Sequence, residues 1–196
     1  SSLTNTHFIN DQGLKDPQYK SCYVNQNILP IPPCSIIQLG TNQFVTAYNI
    51  KGMNFSTCEW LNSRIDHPAE LKGVGIGSFD ADYQVNGGSS FTDLNIGIQA
   101  LKALNPKFFI SVSGSNQFIR NQIGIRINGG ELHKIVDGNN FELNPSTAIP
   151  VNLGNPTVFG IVNTGSTKIT VKGNTFDGKA VKMLQYTSNY GLNSDN

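Results

Sequence analysis

The amino-acid sequence predicts a mostly β protein, an antiparallel β-sandwich of the immunoglobulin-like or jelly-roll-like kind, with one or two short helices in its N-terminal half. Short apolar runs rich in β-branched and aromatic residues recur along the chain, as expected of strands. Asn, Gly, Asp and Pro separate these runs at short intervals and indicate turns. Because 38% of the 196 residues are hydrophobic and only 14% are charged, a folded core is expected rather than disorder.

The composition changes along the chain and predicts four segments. Residues 1–20 are polar and lack periodicity, so they are expected to form an N-terminal arm. Residues 21–106 have mixed α/β patterns and residues 107–187 have the pattern of a β-sandwich, and we expect these two parts to form one compact unit. Residues 188–196 are a predicted polar tail. No internal repeat of 20–50 residues is recognised, so a repeat architecture is not expected.

The three cysteines lie in the first third of the chain. Cys22 and Cys34 flank a proline-rich segment that cannot form a helix. A disulfide between them would close a loop of about a dozen residues and stabilise the fold by about 3 kcal/mol. Cys58 would then remain unpaired. The alternative is three buried thiols, whereas zinc is not expected because the chain has no C-x₂₋₄-C pair. A disulfide predicts a secreted or otherwise extracytoplasmic protein, in the periplasm or at the cell surface.

Two helices are predicted in the N-terminal half. The first covers residues 57–65, because Ser56 is a suitable N-cap and Glu59 follows at the spacing of a capping box. The second covers residues 91–104, where apolar residues recur at positions i, i+3, i+7 and i+10 after the N-cap Ser90. Core packing is the expected role of that apolar stripe.

Glycine alternates with Val74 and Ile76 in a predicted strand within residues 71–86. A glycine face lets another element approach closely, and tight packing of a helix on the sheet is a better explanation of it than a flat surface for an aromatic or a sugar ring.

Residues 107–187 show only strands and turns. Isoleucine occupies every second position of residues 123–127, and the Asn-Gly-Gly that follows at 128–130 is a hairpin signal. The segment 158–171, with Asn-Thr-Gly-Ser between two apolar runs, resembles the hairpin of immunoglobulin-like modules in bacterial surface and secreted proteins. The resemblance implies the sandwich architecture and assigns no functional residue.

The charge balance and the length of the apolar runs argue against two classes of partner. With 14 Lys and Arg against 13 Asp and Glu, the net charge is +1, so the basic surplus of a nucleic-acid-binding protein is missing. No run of 18 apolar residues is present, so membrane insertion through a transmembrane helix is not expected.

Asp80 and Asp82 form the one candidate metal site. Two carboxylates at this spacing, followed by Asn86 and two glycines, could bind Ca²⁺ or Mn²⁺, and calcium is the cofactor that the sequence suggests. The pattern departs from an EF-hand loop, because Val85 stands where that loop needs glycine and no glutamate closes it. The alternative is a pair of solvated acids at a turn.

Catalytic motifs are absent from the sequence. It contains no G-x-S-x-G elbow and no phosphate-binding loop. His133 and Glu131 could share one face of a strand and carry out acid–base chemistry, although a surface pair is the commoner outcome. Enzymatic activity is therefore uncertain and not favoured.

The candidate ligand-binding residues are Trp60, Tyr83, Asp80, Asp82 and Asn86. Amides and acids bind sugar hydroxyls, aromatic faces pack against sugar C–H groups, and Tyr and Trp also anchor protein partners. Burial in the core is the ordinary alternative for Trp60.

These features together predict a non-enzymatic secreted or cell-surface binding module. It would recognise a glycan or a protein, in adhesion or in a host interaction such as that of a virulence factor. One alternative is a structural subunit of an envelope or extracellular assembly. The other is a hydrolase with a dispersed acidic site around Asp80, Asp82 or His133.

Overall fold

The computed structural model describes residues 1–10, 21–24, 43–63, 72–104, 107–143, 158–178, 182–186 and 192–195. These residues form strands and turns with essentially no helix. In this described part of the chain, no helix is long and apolar enough to cross a membrane.

The strands are short, with three to six residues each. In chain order they are β1 (Ser2–Thr4), β2 (His7–Asn10), β3 (Ser21–Val24), β4 (Gln43–Tyr48), β5 (Met53–Ser56), β6 (Glu59–Asn62), β7 (Val74–Phe79), β8 (Tyr83–Asn86), β9 (Ser90–Thr92), β10 (Ile96–Leu101), β11 (Ile110–Val112), β12 (Gln117–Ile119), β13 (Ile123–Asn128), β14 (His133–Val136), β15 (Asn140–Glu142), β16 (Phe159–Thr164), β17 (Ile169–Lys172), β18 (Thr175–Asp177), β19 (Lys182–Tyr186) and β20 (Leu192–Asp195).

All strand pairs among the described residues are parallel, and the strands form three sheets. Sheet 1 has the order β1-β5-β8-β11-β14-β17-β20, sheet 2 the order β2-β6-β9-β12-β15-β18, and sheet 3 the order β3-β4-β7-β10-β13-β16-β19. From β5 onward the chain visits sheets 1, 2 and 3 in turn, and each strand pairs with its equivalent in the next coil. This arrangement is a parallel β-helix, a solenoid in which each coil contacts its neighbours.

The predicted antiparallel sandwich is therefore wrong. The Asn-Gly-Gly at 128–130 does not reverse the chain into a hairpin but leads from β13 in sheet 3 to β14 in sheet 1. Positive φ angles at Gly129 and Gly130 bend the backbone around a corner of the solenoid. Likewise β16 and β17, in the segment that resembles an immunoglobulin hairpin, belong to different sheets. A turn motif identifies a bend, but it does not identify the strand that pairs next.

The two predicted helices are also wrong. Residues 57–65 include strand β6, and residues 91–104 include most of β9 and all of β10. Thr57 and Asp93 have φ angles of 51° and 56°, which no right-handed helix contains. Phe91, Leu94 and Ile98, which have helical spacing, are nevertheless all buried. Two strands that meet at a corner direct them into the same interior from two sides.

Residues expected to form terminal segments contribute to the sheets. β1 and β2 lie in the segment 1–20, and β20 lies in the segment 188–196. Strands from both sides of residue 106 occur in every sheet.

An aromatic column runs through the interior along sheet 2, with one ring from each coil. Neighbouring rings have centroids 4.4–5.5 Å apart and planes within 9° of parallel. Its members are Phe8, Trp60, Phe91, Phe118, Phe141 and Phe176, which occupy in-register positions of successive strands. The column is an internal repeat, contrary to the sequence-based expectation. Unequal intervals between the aromatic positions hide it from a search for a fixed period.

A glycine column in sheet 3 faces the aromatic column. A Cβ at Gly75, Gly97 or Gly124 would lie 2.6 Å from the carbonyl oxygen of the corresponding glycine in the next coil. It would also lie 2.8–3.0 Å from an aromatic Cδ1 atom. The strand therefore approaches the ring more closely than any side chain allows, so the glycine face packs against aromatic rings and not against a helix as predicted.

Aliphatic ladders and an amide ladder complete the interior. Ile76, Ile98, Ile125 and Ile161 are in register in sheet 3, and all four are fully buried. At the corner between sheets 1 and 2, the Asn139 Nδ2 donates to two backbone carbonyls, of Val112 and Val136, and to Asn174 Oδ1. Asn139 Oδ1 accepts from both the backbone and the side-chain amide of Asn116. The ladder thus satisfies backbone groups that the corner removes from the sheets.

The three corners differ in length. Residues 93–95 and 120–122 are short connections from sheet 2 to sheet 3, whereas the chain passes through residues 63–73 and 143–158 at equivalent points of other coils. Connections from sheet 1 to sheet 2, such as residues 57–58 and 137–139, are always short in the described chain.

We expect Gly97→Ala to lower the free energy of unfolding by about 1–3 kcal/mol, because the added methyl overlaps the Phe118 ring and a backbone carbonyl. Phe118→Leu should relieve part of that overlap. Urea unfolding of both single variants and the double variant measures the coupling, and the double variant should lose less than the sum of the two. Additive losses would contradict the proposed contact.

Candidate functional site

A pocket of about 310 Å³ opens at the corner between sheets 3 and 1. Three successive coils contribute to it, through the turn before β8, the connection before β11 and the start of β14. We call it the corner pocket. Its lining consists of Asp82, Lys107, Phe108, Phe109, Glu131, Leu132 and Lys134.

The corner pocket combines an apolar surface with charged groups. Phe109 is 38% exposed and Leu132 is 57% exposed, so two large apolar residues that are open to solvent line the same pocket. Phe108 is buried beneath them, and its ring centroid lies 5.4 Å from that of His133. Two carboxylates and two ammonium groups complete the lining. Such a mixture is typical of sites that hold a ligand by apolar contact and orient it by a few polar groups.

Asp80 and Asp82 both accept hydrogen bonds from the connection that carries Phe109. The buried Asp80 carboxylate accepts the backbone N–H groups of Ala103, at 2.8 Å, and Leu104, at 2.6 Å. Asp82 Oδ1 accepts the backbone N–H of Phe109 at 2.9 Å, and its Oδ2 lies 2.7 Å from Lys51 Nζ. The two acids therefore hold the two ends of one backbone segment.

The calcium site predicted at these acids stays a prediction. A cation there would compete with N–H donors for the same carboxylate oxygens. Within the described ranges, no group of three or more His, Cys, Asp or Glu side chains is arranged to hold a metal ion.

His133 lies behind the pocket and uses both ring nitrogens on the backbone. Nδ1 accepts the Ile110 N–H at 3.1 Å, so Nε2 carries the proton and donates to the Gly129 carbonyl at 2.9 Å. Burial is the main cause that lowers the pKa of His133. Leu132, with a φ of 58°, interrupts the alternation between Glu131 and His133, so the glutamate lines the pocket while the imidazole is buried.

Two of the aromatic residues predicted to bind a ligand are in the core. Trp60 is stacked between Phe8 and Phe91 and is fully buried. Tyr83 is buried as well, with its hydroxyl 3.1 Å from Ser78 Oγ, and burial raises its pKa. Strand alternation directs both side chains inward.

The polar candidates are nearer to solvent. Asn86 is half-buried on sheet 1, where its Nδ2 donates to Asn54 Oδ1 at 3.0 Å. Asp82 is the predicted residue that lines the corner pocket, whereas Asp80 bonds the start of the connection that carries Phe109.

Sequence reasoning missed Phe109 and Leu132. The adjacent pair Phe108-Phe109 indicates an exposed aromatic residue, because neighbouring side chains of an extended segment point to opposite sides. An exposed aromatic residue beside a buried one marks a candidate contact surface.

Sheet 1 presents a row of polar side chains next to the corner pocket. These side chains are exposed or half-buried, and strand register places one on each successive strand. This outer row consists of Ser2, Asn54, Gln84, Ser111, Lys134 and Thr170. Lys134 belongs to both the row and the pocket, so the two surfaces are continuous.

The predicted disulfide falls outside what the structure describes. Cys34 lies outside the described residues, and Cys22 is described only as part of the backbone of β3. Cys58 is a buried free thiol at the turn between β5 and β6, with its Sγ 3.4 Å from the carbonyls of Leu3 and Ser56.

The comparisons give no relative for this chain: no family model, curated protein or solved structure matches it. Fold and site define a parallel β-helix with a pocket at one corner, and the function has to be inferred from these residues.

We expect His133 to make stability depend on pH. Its folded-state pKa is lowered, so as the pH falls below about 6.5 the unfolded chain binds a proton that the native imidazole resists. The resulting loss of stability develops between the unfolded value and the lowered native one, and above the unfolded value His133 contributes no slope. Thermal unfolding between pH 7.5 and 5 should show a smaller decline for His133→Gln than for the wild type. Equal declines would contradict this origin.

The cysteine prediction is tested by alkylation of the denatured, unreduced protein. A Cys22–Cys34 disulfide leaves Cys58 as the one reactive thiol, so mass spectrometry should show a single modification before reduction and three after it. Three modifications without reduction, from protein purified under oxidising conditions, would show three free thiols.

Proposed function

We propose that the protein is a non-enzymatic binding module for a glycan, and that the corner pocket is its binding site. The observation that carries the proposal is that Phe109, which is 38% exposed, lines the pocket together with Lys134 of the polar outer row. An aromatic face packs against the C–H groups of a sugar ring, while neighbouring polar groups exchange hydrogen bonds with its hydroxyls.

The lining of the pocket suits a sugar better than a wholly apolar ligand. Leu132 and Phe109 supply apolar area, and Glu131 and Lys134 supply an acceptor and a donor within the same small volume. A sugar ring needs both kinds of contact, because every hydroxyl that loses water must find a new partner.

The outer row extends the site along the solenoid axis. Parallel strands are spaced by about 4.8 Å, so the row offers an amide, a hydroxyl or an ammonium group at each such step. Regularly spaced polar groups on a flat sheet suit an extended polymer with a repeating pattern of hydroxyls, and solenoids commonly use extended surfaces of this kind. We therefore propose a linear glycan as the ligand.

Recognition is favoured over hydrolysis because the acid–base candidates already have partners. Asp82 accepts from a backbone amide and from Lys51, and both nitrogens of His133 serve the backbone. An extracytoplasmic location, where glycans are exposed, belongs to the same proposal and depends on the Cys22–Cys34 disulfide.

A glycan array with Phe109→Ala and Ile9→Ala variants tests the proposal. Ile9 is a matched control, since it is 58% exposed but lies on β2 in sheet 2. We expect wild type and Ile9→Ala to bind the same glycans, and Phe109→Ala to bind at least about tenfold more weakly, the size of effect expected for an aromatic anchor.

The same array separates the alternatives. A blank array for the wild type would contradict glycan binding and redirect the search to a protein partner. Equal binding by Phe109→Ala would place the site elsewhere. Release of new reducing ends from a bound glycan would show a hydrolase, and binding that requires calcium would support the metal site at Asp80 and Asp82.

A further inference from the structure

Phe109 ends the connection between β10 and β11, of which residues 102–104 and 107–109 are described. The equivalent connections span residues 49–52, 80–82, 129–132 and 165–168, whereas β10 and β11 are joined by residues 102–109. A longer connection has more backbone groups outside the ladder bonds of the sheets. Its position therefore depends on other partners.

The partners come from the shorter turn in the preceding coil, which contains Asp80, Ala81 and Asp82. Asp80 accepts the N–H groups of Ala103 and Leu104 at the start of the connection, and Asp82 accepts the Phe109 N–H at its end. Hydrogen bonds from amides to a carboxylate are stronger than bonds between neutral groups. The D-x-D motif thus acts on both ends of the segment that carries the pocket aromatic.

We call the bonds from Asp80 and Asp82 to the connection the clamp. A lysine of the preceding coil extends it. Lys51 Nζ lies 2.7 Å from Asp82 Oδ2 and orients the carboxylate, while the Phe109 carbonyl accepts the Tyr83 N–H at 3.3 Å. Phe109 is consequently fixed at both its amide and its carbonyl by residues of a neighbouring coil.

We propose that Asp80 is a positioning residue for ligand binding. It holds the connection between β10 and β11, so that Phe109 already has its binding geometry before the ligand arrives. The inference rests on the proposed function. Asp80 is 2% exposed and does not line the pocket, so it acts on a ligand only through the connection. Holding a binding side chain in its bound geometry strengthens binding, because less ordering remains to be done when the ligand arrives.

The test uses Asp80→Asn. An aspartate has two acceptor oxygens, whereas an asparagine has one acceptor oxygen and one NH₂ group. One of the two bonds to the Ala103 and Leu104 amides is therefore lost, and the NH₂ group then faces a backbone N–H, donor against donor. Asp93→Asn is the matched control, because Asp93 is also a buried acid at a corner, has a positive φ and bonds Arg120 through both oxygens. Asp93 lies at the other end of sheet 3, between β9 and β10.

Two measurements are made on the full chain. Amide hydrogen exchange in Asp80→Asn should be at least about tenfold faster at whichever of residues 103 and 104 loses its acceptor, and also faster at residue 109, at the other end of the connection. Exchange at these residues should be unchanged in Asp93→Asn. Affinity for the array glycan that the wild type binds should fall by about tenfold in Asp80→Asn and stay within about twofold in Asp93→Asn. Thermal unfolding of both variants shows whether their global losses are comparable.

The outcomes separate the clamp from the binding function. Asp80→Asn with faster exchange and unchanged affinity would overturn the positioning role, as would equal affinity losses in the two variants. Unchanged exchange would overturn the clamp itself. A blank wild-type array would overturn the proposed function and its link to the clamp, whereas the exchange result would still decide whether Asp80 holds the connection.

Discussion

The contact between the aromatic column and the glycine column sets the geometry of the whole solenoid. Rings such as Trp60 and Phe91 stack at 4.4 Å, close to the spacing of about 4.8 Å between hydrogen-bonded strands. Stacking and backbone pairing therefore favour the same rise for each coil. The rings leave no room for a side chain on the facing strand, so glycine follows as a requirement at Gly75, Gly97 and Gly124. The corner pocket is lined by three successive coils, so the spacing between coils sets its length along the solenoid.

Sequence patterns identified strands and bends but not the pairing between them. Alternation shows which side chains face inward. Glycines such as Gly129, which has a positive φ angle in the structure, show where the chain turns. Neither feature records whether the next strand is antiparallel in the same sheet or parallel in another one. The series Phe91, Leu94 and Ile98 shows the difficulty, because a corner between two strands produced the same spacing as a helix. Pairing depends on long-range contacts that a local pattern does not contain.

The site was partly visible in the sequence for a similar reason. The D-x-D motif drew attention to Asp80 and Asp82, because two acids at a turn are chemically conspicuous. Their partners are backbone amides of residues more than twenty positions away, which carry no sequence signature. Trp60 and Tyr83 were misplaced since an aromatic residue looks the same whether it faces a ligand or a core. Phe109 could have been recovered from the alternation of Phe108-Phe109.

The unequal length of the corner between sheets 2 and 3 has a consequence for engineering the chain. Ring stacking continues from coil to coil whether the connection at this corner is residues 93–95 or residues 63–73. The connection from sheet 2 to sheet 3 is residues 93–95 or 120–122 in two coils and spans residues 63–73 or 143–158 in two others, whereas the amide-bonded turns between sheets 1 and 2 are short throughout the described residues. This corner already joins the same two sheets by connections of very different length, so it is the place at which a foreign loop could be grafted without changing the pairing of the strands.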